Sequence, residues 1–213
     1  VRARASSLLR VLVTAAACAA PFAGCGDDPP NFESPDEEVC LDRRDGERYC
    51  IERYEASRRD ASETAAGTDD QGAPRSLKGR LPWTQVTWAA ARAACESKGK
   101  RLCELDEWVD ACDGAIGTEG LRYTYGDVID AARCNVGGQG VRPSGSFDGC
   151  VSPTRVLDQS GNVWEWTGNT AAAAAARGGG YRSSQAHRCA DVLSNIPVTE
   201  STPEIGFRCC RSQ

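Results

Sequence analysis

Twelve cysteines in a 213-residue chain with a single histidine limit the available folds more than any other feature. Cys18 falls within an apolar leader and Cys25 at its end. The other ten, at 40, 50, 95, 103, 112, 134, 150, 189, 209 and 210, form an even set. Zinc is the competing use of clustered thiols. It calls for Cys-x₂-Cys pairs or several histidines, and the chain has no such pair and only His187. An even set in an exported chain reads as a disulfide framework, although spacing alone leaves its connectivity open. Cys40 and Cys50 flank the charged stretch Leu41–Arg48 and are expected to bridge a turn.

The leader itself argues for export. Arg2, Arg4 and Arg10 precede the apolar run Val11–Ala20, the pattern of a secretory signal and too short for a spanning helix. Phe22-Ala23-Gly24-Cys25 resembles the bacterial lipobox, in which Cys25 is diacylated and becomes the new N-terminus; ordinary signal cleavage is the alternative. This gives a signal peptide over 1–24, an acidic, proline-containing tether over 25–38 and one domain over 39–213. Membrane contact is expected through the lipid anchor only. The net charge of −5, with no basic run in the body of the chain, argues against nucleic acid as a partner.

Within the domain, Tyr49–Glu55 alternates enough for a first strand, and the polar residues 56–80 read as a surface loop without a site. Thr87 suits an N-cap, the alanine-rich Trp88–Lys98 a helix, and Gly99 its end. A second helix is predicted from Glu104 to Asp113, stopped by Gly114, with Leu105, Trp108, Val109 and Cys112 on one apolar stripe. The run Ala171–Ala176 offers one or two marginal helical turns. Trp164 and Trp166 sit two residues apart, so on a strand they share a face and Glu165 takes the other. Asp158, the carbonyls of Gly161 and Val163, and Glu165 form an oxygen-rich series that suits a hard cation such as Ca²⁺. A Gly-Asn turn entering a core strand, with Glu165 solvated, is the alternative.

Further stretches extend this pattern: Val86-Thr87-Trp88, Gly99-Lys100-Arg101-Leu102, Glu107-Trp108, Arg177-Gly178-Gly179-Gly180-Tyr181 and Ile205-Gly206-Phe207-Arg208-Cys209. With Asp158 to Trp166 they make the chain resemble the formylglycine-generating enzyme (sulfatase-modifying factor) family, from the early fifties to the C-terminus. The resemblance implies an irregular, disulfide-rich α+β domain of the formylglycine-generating-enzyme fold, a variant of the C-type lectin fold. It implies bridges Cys95–Cys209 and Cys112–Cys189. Proximity then suggests Cys103–Cys210 as a third clasp and Cys134–Cys150 closing the loop ahead of the Trp-Glu-Trp strand. It also implies structural Ca²⁺. Asp158, Gly161, Val163 and Glu165 match one complete site. Asn135 and Val136 match part of another whose acidic ligand is missing, with Asp148 as a substitute.

The same resemblance argues against the family's oxidation of a client sulfatase cysteine. That chemistry uses a close pair of cysteines holding Cu(I) just after the Gly-Gly-x-Tyr motif. Here the segment Tyr181–Cys189 holds only Cys189, which aligns with a structural half-cystine, and the catalytic positions fall on or near Ser183 and Ser184. A hydroxyl cannot replace a thiolate on copper, so no copper is expected. A Ser-His arrangement with His187 lacks an oxyanion feature and an orienting acid, and a non-haem iron site needs more than one histidine. The expectation is a non-catalytic binding or structural module at the bacterial envelope, with an unknown protein or glycan ligand meeting the surface around Arg182–Arg188 and Trp83. The rival is a divergent oxidoreductase using Cys189.

Overall fold

The computed structural model describes residues 37–43, 46–114, 120–138 and 140–213. The expected signal peptide, the lipid site Cys25 and the tether up to residue 36 lie outside these. The described residues all belong to one compact unit, Pro35–Gln213. The first strand, β1 (Glu38–Asp42), pairs antiparallel with β2 (Arg48–Glu52) in a hairpin whose register sets Cys40 opposite Cys50. Glu38, assigned by sequence to the tether, opens this strand.

Both helices begin and end where local chemistry dictates. In α1 (Trp88–Glu96) the Thr87 hydroxyl accepts from the Ala90 amide at 3.2 Å, satisfying one of the orphan donors of the first turn. In α2 (Leu105–Asp113) Glu104 and Glu107 form a capping box, and Gly114 closes the helix in the left-handed region at φ 69°. The buried stripe of α2 is rotated from the expected one: Glu107, Trp108, Asp110, Ala111 and Cys112 are buried, whereas Leu105 and Val109 are half-buried. The cause is Arg101, whose guanidinium grips both Glu107 oxygens at 2.6 Å and makes an inward carboxylate tolerable.

Six further strands follow: β3 (Arg101–Leu102), β4 (Trp164–Thr167), β5 (Ala175–Arg177), β6 (Val192–Leu193), β7 (Ile205–Phe207) and β8 (Cys209–Ser212). They make two sheets, β1-β2-β8-β3 and β6-β5-β4-β7, the second mixed because β4 and β7 run parallel. The alanine run does not become helix. Ala175 and Ala176 enter β5 and are buried between β4 and β6, where small side chains fit. Residues 56–80 are also more than a surface loop, since Ala56, Ser57, Ala61 and Ser76 are buried and Ser57 bridges Arg75.

The core has two parts. One gathers Trp83, Val86, Trp88, Leu102, Trp166, Ile205 and Phe207 beneath α1; the other gathers Tyr49, Ile51, Trp108, Ala111 and Val156 against α2. Five disulfides hold them: Cys40–Cys50, Cys95–Cys209, Cys103–Cys210, Cys112–Cys189 and Cys134–Cys150. Adjacent residues of a strand face opposite ways. Cys209 therefore ties β8 to α1 in the first core, while Cys210 ties the same strand to Cys103 in the second.

Candidate functional site

Between the two cores lies a group of fully buried charges. Arg208 spends all its donors inside the protein. Its Nε and Nη2 reach the two oxygens of Glu165 at 2.6 Å each, Nη1 reaches the carbonyls of Glu52 and Arg53, and Nη2 that of Leu157. The indole of Trp108 donates to Glu165 Oε2 at 2.7 Å. Glu165 is thus neither solvated nor free; its carboxylate is committed to a guanidinium and an indole. Two more carboxylates share the surroundings. Asp158, at φ 64°, accepts from the Gly145 amide at 2.6 Å. Glu55 accepts from Asn162 Nδ2 at 2.9 and 3.0 Å and from the Ser144 hydroxyl at 2.7 Å.

Three buried carboxylates against one guanidinium leave excess negative charge if all are ionised. Burial, and secondarily the neighbouring charge of Glu165, pushes Asp158 up to about 7, although Gly145 and Arg208 pull the other way. Burial, then Asp158 and Glu165, push Glu55 well above the usual carboxylate range. Arg208 is driven upward despite burial because Glu165, Glu55 and Asp158 all stabilise its charge. A centre of this composition holds either protons or a cation.

The residues matched to metal sites are brought into one neighbourhood. A Cβ on Gly161 would lie 2.7 Å from the Asn135 carbonyl and 3.1 Å from Val136 Cγ1, so only glycine permits this approach. The Asn162 amide donates to the Asn135 carbonyl at 2.9 Å, and Asn135 Nδ2 donates to Asn162 Oδ1 at 2.8 Å. Asn135 Oδ1 is buried without a hydrogen-bond partner, and an orphaned acceptor oxygen of this kind fits a hard cation. Asp148, the suggested substitute ligand, is instead exposed and pairs with Lys78 at 3.1 Å. Elsewhere the carboxylate of Glu38 lies within 4.8 Å of the Cys40 and Cys50 sulfurs, but the disulfide leaves no thiolate there for a metal. Sequence reasoning missed Glu55 and Asn162. Nothing in the alternation around Glu55 marks it as inward-facing, and Asn162 passes for a turn residue until its four side-chain contacts are seen.

At the surface, the segment after Gly-Gly-x-Tyr folds over Trp164. The His187 ring lies 4.7 Å from the Trp164 ring, tilted by 58°, and a Cβ on Gly179 would meet His187 Cδ2 at 2.3 Å. The Ser183 hydroxyl accepts from the Gly180 amide at 3.2 Å, and Arg182 Nη1 pairs with Glu204 at 3.0 Å. Cys189 is 1% exposed and bonded to Cys112. Beside Trp83 runs a groove of about 470 Å³, walled by Ala90, Ala93, Ala94 and Ser97 of α1 and by Asp70, Gln71 and Gly72. None of residues 182–188 lines it. The segment Thr202–Glu204 connects the two regions, accepting from Gln85 at one end and from Trp164 and Arg182 at the other.

Among the described residues, five disulfides, two short helices, two small sheets and long irregular connections define a C-type-lectin-like domain built around a buried ionic centre. The chain belongs to the sulfatase-modifying factor enzyme 1-like domain family, whose model matches residues 38–213. It is 32% identical over 154 residues, 61% of this chain and 50% of the relative, to "Inactive C-alpha-formylglycine-generating enzyme 2" of Bos taurus. The chain spans about half the length of that relative and of its Mus musculus counterpart. Among solved structures, CarF matches with a TM-score of 0.60 at 20% identity, covering 84% of this chain and 99% of its own. Treponema denticola variable protein 1 matches with a TM-score of 0.61 at 15% identity, covering 84% and 94%. These structural likenesses show the fold. The disulfide framework marks a protein exported to an oxidising compartment. Among the described residues no helix is long and apolar enough to cross a membrane.

Proposed function

We propose that the chain is a non-catalytic member of this family that binds a protein or glycan ligand at the bacterial cell envelope, held there by a lipid on Cys25. The observation that carries the reading is the state of Cys189. It is the sole cysteine between Gly178 and Glu204, it is buried, and it is bonded to Cys112. Copper oxidation of a client cysteine needs a pair of free thiolates at that surface. The matched relatives named as inactive support the same conclusion. The ligand surface is the Trp164–His187 platform with Arg182 and Glu204, continued across Thr202 into the groove beside Trp83. Structural Ca²⁺ is part of this reading: one site at Asp158, Gly161, Val163 and Glu165, supported by the excess of buried carboxylate, and a second, incomplete one at Asn135 and Val136, supported by the orphaned Asn135 oxygen.

The test is incubation of the purified, membrane-extracted protein with Cu(I), oxygen and a cysteine-containing sulfatase peptide, followed by mass spectrometry of the peptide. Unchanged peptide is expected. Aldehyde formation that is lost in a Cys189→Ser variant would establish the oxidoreductase instead.

A further inference from the structure

The Cys40–Cys50 bridge differs from the other four in access. Cys40 is half-buried, whereas Cys50 and the eight remaining bridged cysteines are all 0–1% exposed. It sits on β1, the outer strand of its sheet, directly opposite its partner on β2. Cys40 is thus the most accessible of the bridged cysteines among the described residues, its Sγ contacted by the Gln213 side-chain amide at 3.5 Å, and an incoming thiolate meets this residue first.

The bridge is also the one whose opening the fold can best absorb. Its cysteines are 10 residues apart in sequence, against 16 for Cys134–Cys150 and 77, 107 and 114 for the three bridges into the cores. A short loop constrains the unfolded chain least. Without the bridge, β1 keeps its antiparallel register with β2, from Glu38↔Glu52 to Asp42↔Arg48. Glu38 also remains tied to Arg211 at 2.5 Å and to Lys100 at 3.1 Å.

The charges nearest the departing sulfur of Cys50 are balanced among themselves. Opposed residues of an antiparallel pair present side chains on one face. Cys40, Cys50 and Arg211 are opposed in turn across β1, β2 and β8, so they form a row. Glu38, close to both sulfurs, has its charge compensated by Arg211 and Lys100, so it does not present a bare carboxylate to the thiolate.

We propose that Cys40–Cys50 is a thiol–disulfide exchange site, opened by a dithiol reductant of the Cys-x-x-Cys class while the four buried bridges stay closed. The reductant's thiolate attacks Cys40 Sγ. A new S–S bond forms to Cys40, the Cys40–Cys50 bond breaks, and Cys50 leaves as a thiolate that takes up a proton. The reductant's second thiol, deprotonated, then displaces Cys40. The net change is one protein disulfide reduced to two thiols and one dithiol oxidised to a disulfide. The result is a redox-controlled loosening of β1, the strand through which the upstream chain enters the domain, with its register and the Glu38 ion pairs kept.

The experiment uses the full folded protein. Dithiothreitol is titrated under native conditions, free thiols are alkylated, and peptides are mapped by mass spectrometry while near-ultraviolet circular dichroism follows packing. Labelling of Cys40 and Cys50 is expected at roughly tenfold lower reductant than any other pair, with the aromatic signal kept. Earlier opening of another bridge, or loss of all five together with the signal, overturns the proposal. A resolving-cysteine-to-serine variant of a Cys-x-x-Cys oxidoreductase adds a directional readout on the wild-type protein. Its trapped mixed disulfide is expected on Cys40, and trapping on Cys50 or on a core cysteine overturns the assignment.

Discussion

Arg208 can be buried because every direction its guanidinium points in is met by an acceptor, two of them the oxygens of Glu165. Replacing it with methionine leaves Glu165 buried with only the Trp108 indole. Removing one partner of a buried pair costs about 3–5 kcal/mol, far more than the pair's net worth. Urea denaturation of Arg208→Met should therefore show a loss of that size, and a loss under about 1 kcal/mol would mean Glu165 is compensated some other way. Asp158 gives a pH dependence of defined sign. Its folded pKa, raised to about 7, exceeds the ordinary aspartate value of 3.8, so between these limits the native state holds a proton that the unfolded chain has lost. Its contribution to stability is full below the lower limit, falls as pH rises through the window and is gone above about 7. In EDTA, the thermal midpoint should therefore be lower at pH 8 than at pH 5, and Asp158→Asn should reduce the slope. An unchanged slope in the variant would remove Asp158 as its source. These side chains also mark what a sequence leaves unread. Arg208 and Glu165 stand in recognisable motifs, but their pairing across 43 residues appears only when β4 pairs with β7, which Arg208 directly follows.

The helices were readable because their signals are local: a threonine hydroxyl three residues from a free amide, and a glycine where the backbone turns left-handed. Thr87→Ala should cost about 1 kcal/mol in chemical denaturation, the ordinary worth of an N-cap. A neutral result would mean that packing of Trp88 and the Cys95–Cys209 bridge fix α1 without it. The strand β5 was unreadable for the opposite reason. Six consecutive alanines carry helix propensity, and the space between β4 and β6 that overrides it is set by residues distant in sequence. The stripe on α2 is displaced by Arg101, only six residues from Glu107 but outside the helix, where helical periodicity gives no sign of it. The bridges rank by the loop each closes: the chain-entropy model gives about 2.7 kcal/mol for Cys40–Cys50 and about 4.8 kcal/mol for Cys95–Cys209. That order sets the elements clasped to β8 as the stable part of the domain and the β1 edge as the part most easily opened.

At the scale of the whole molecule, small elements and long irregular segments are held by disulfides and by a polar centre instead of one large apolar core. The segments carrying Asn135, Gly145 and Asp158–Glu165 converge there from separate loops, so whatever neutralises the centre also fastens the loops to one another. A bound cation would do both, and linkage then predicts its effect on stability. At a free Ca²⁺ concentration near 100 Kd, binding only to the native state adds about 2.7 kcal/mol. For a domain of this size that corresponds to a rise of roughly 5–10 °C in the thermal midpoint. The EDTA-treated protein should gain this increment on titration with Ca²⁺ at pH 8, above the value of about 7 for Asp158, and less at pH 5, where Asp158 holds a proton. Asn135→Ala removes the orphaned oxygen without touching the Arg208–Glu165 pair. It also removes the two hydrogen bonds that Asn135 Nδ2 donates to the Gly140 carbonyl and Asn162 Oδ1, worth about 1 kcal/mol each, so the midpoint in EDTA should fall by several degrees while the Ca²⁺ increment shrinks. A wild-type midpoint that ignores Ca²⁺ at both pH values would mean that the centre takes no cation. The loops would then owe their fixed positions to Asn162, which reaches Asn135, Glu55 and both the amide and the carbonyl of Arg142 from one turn.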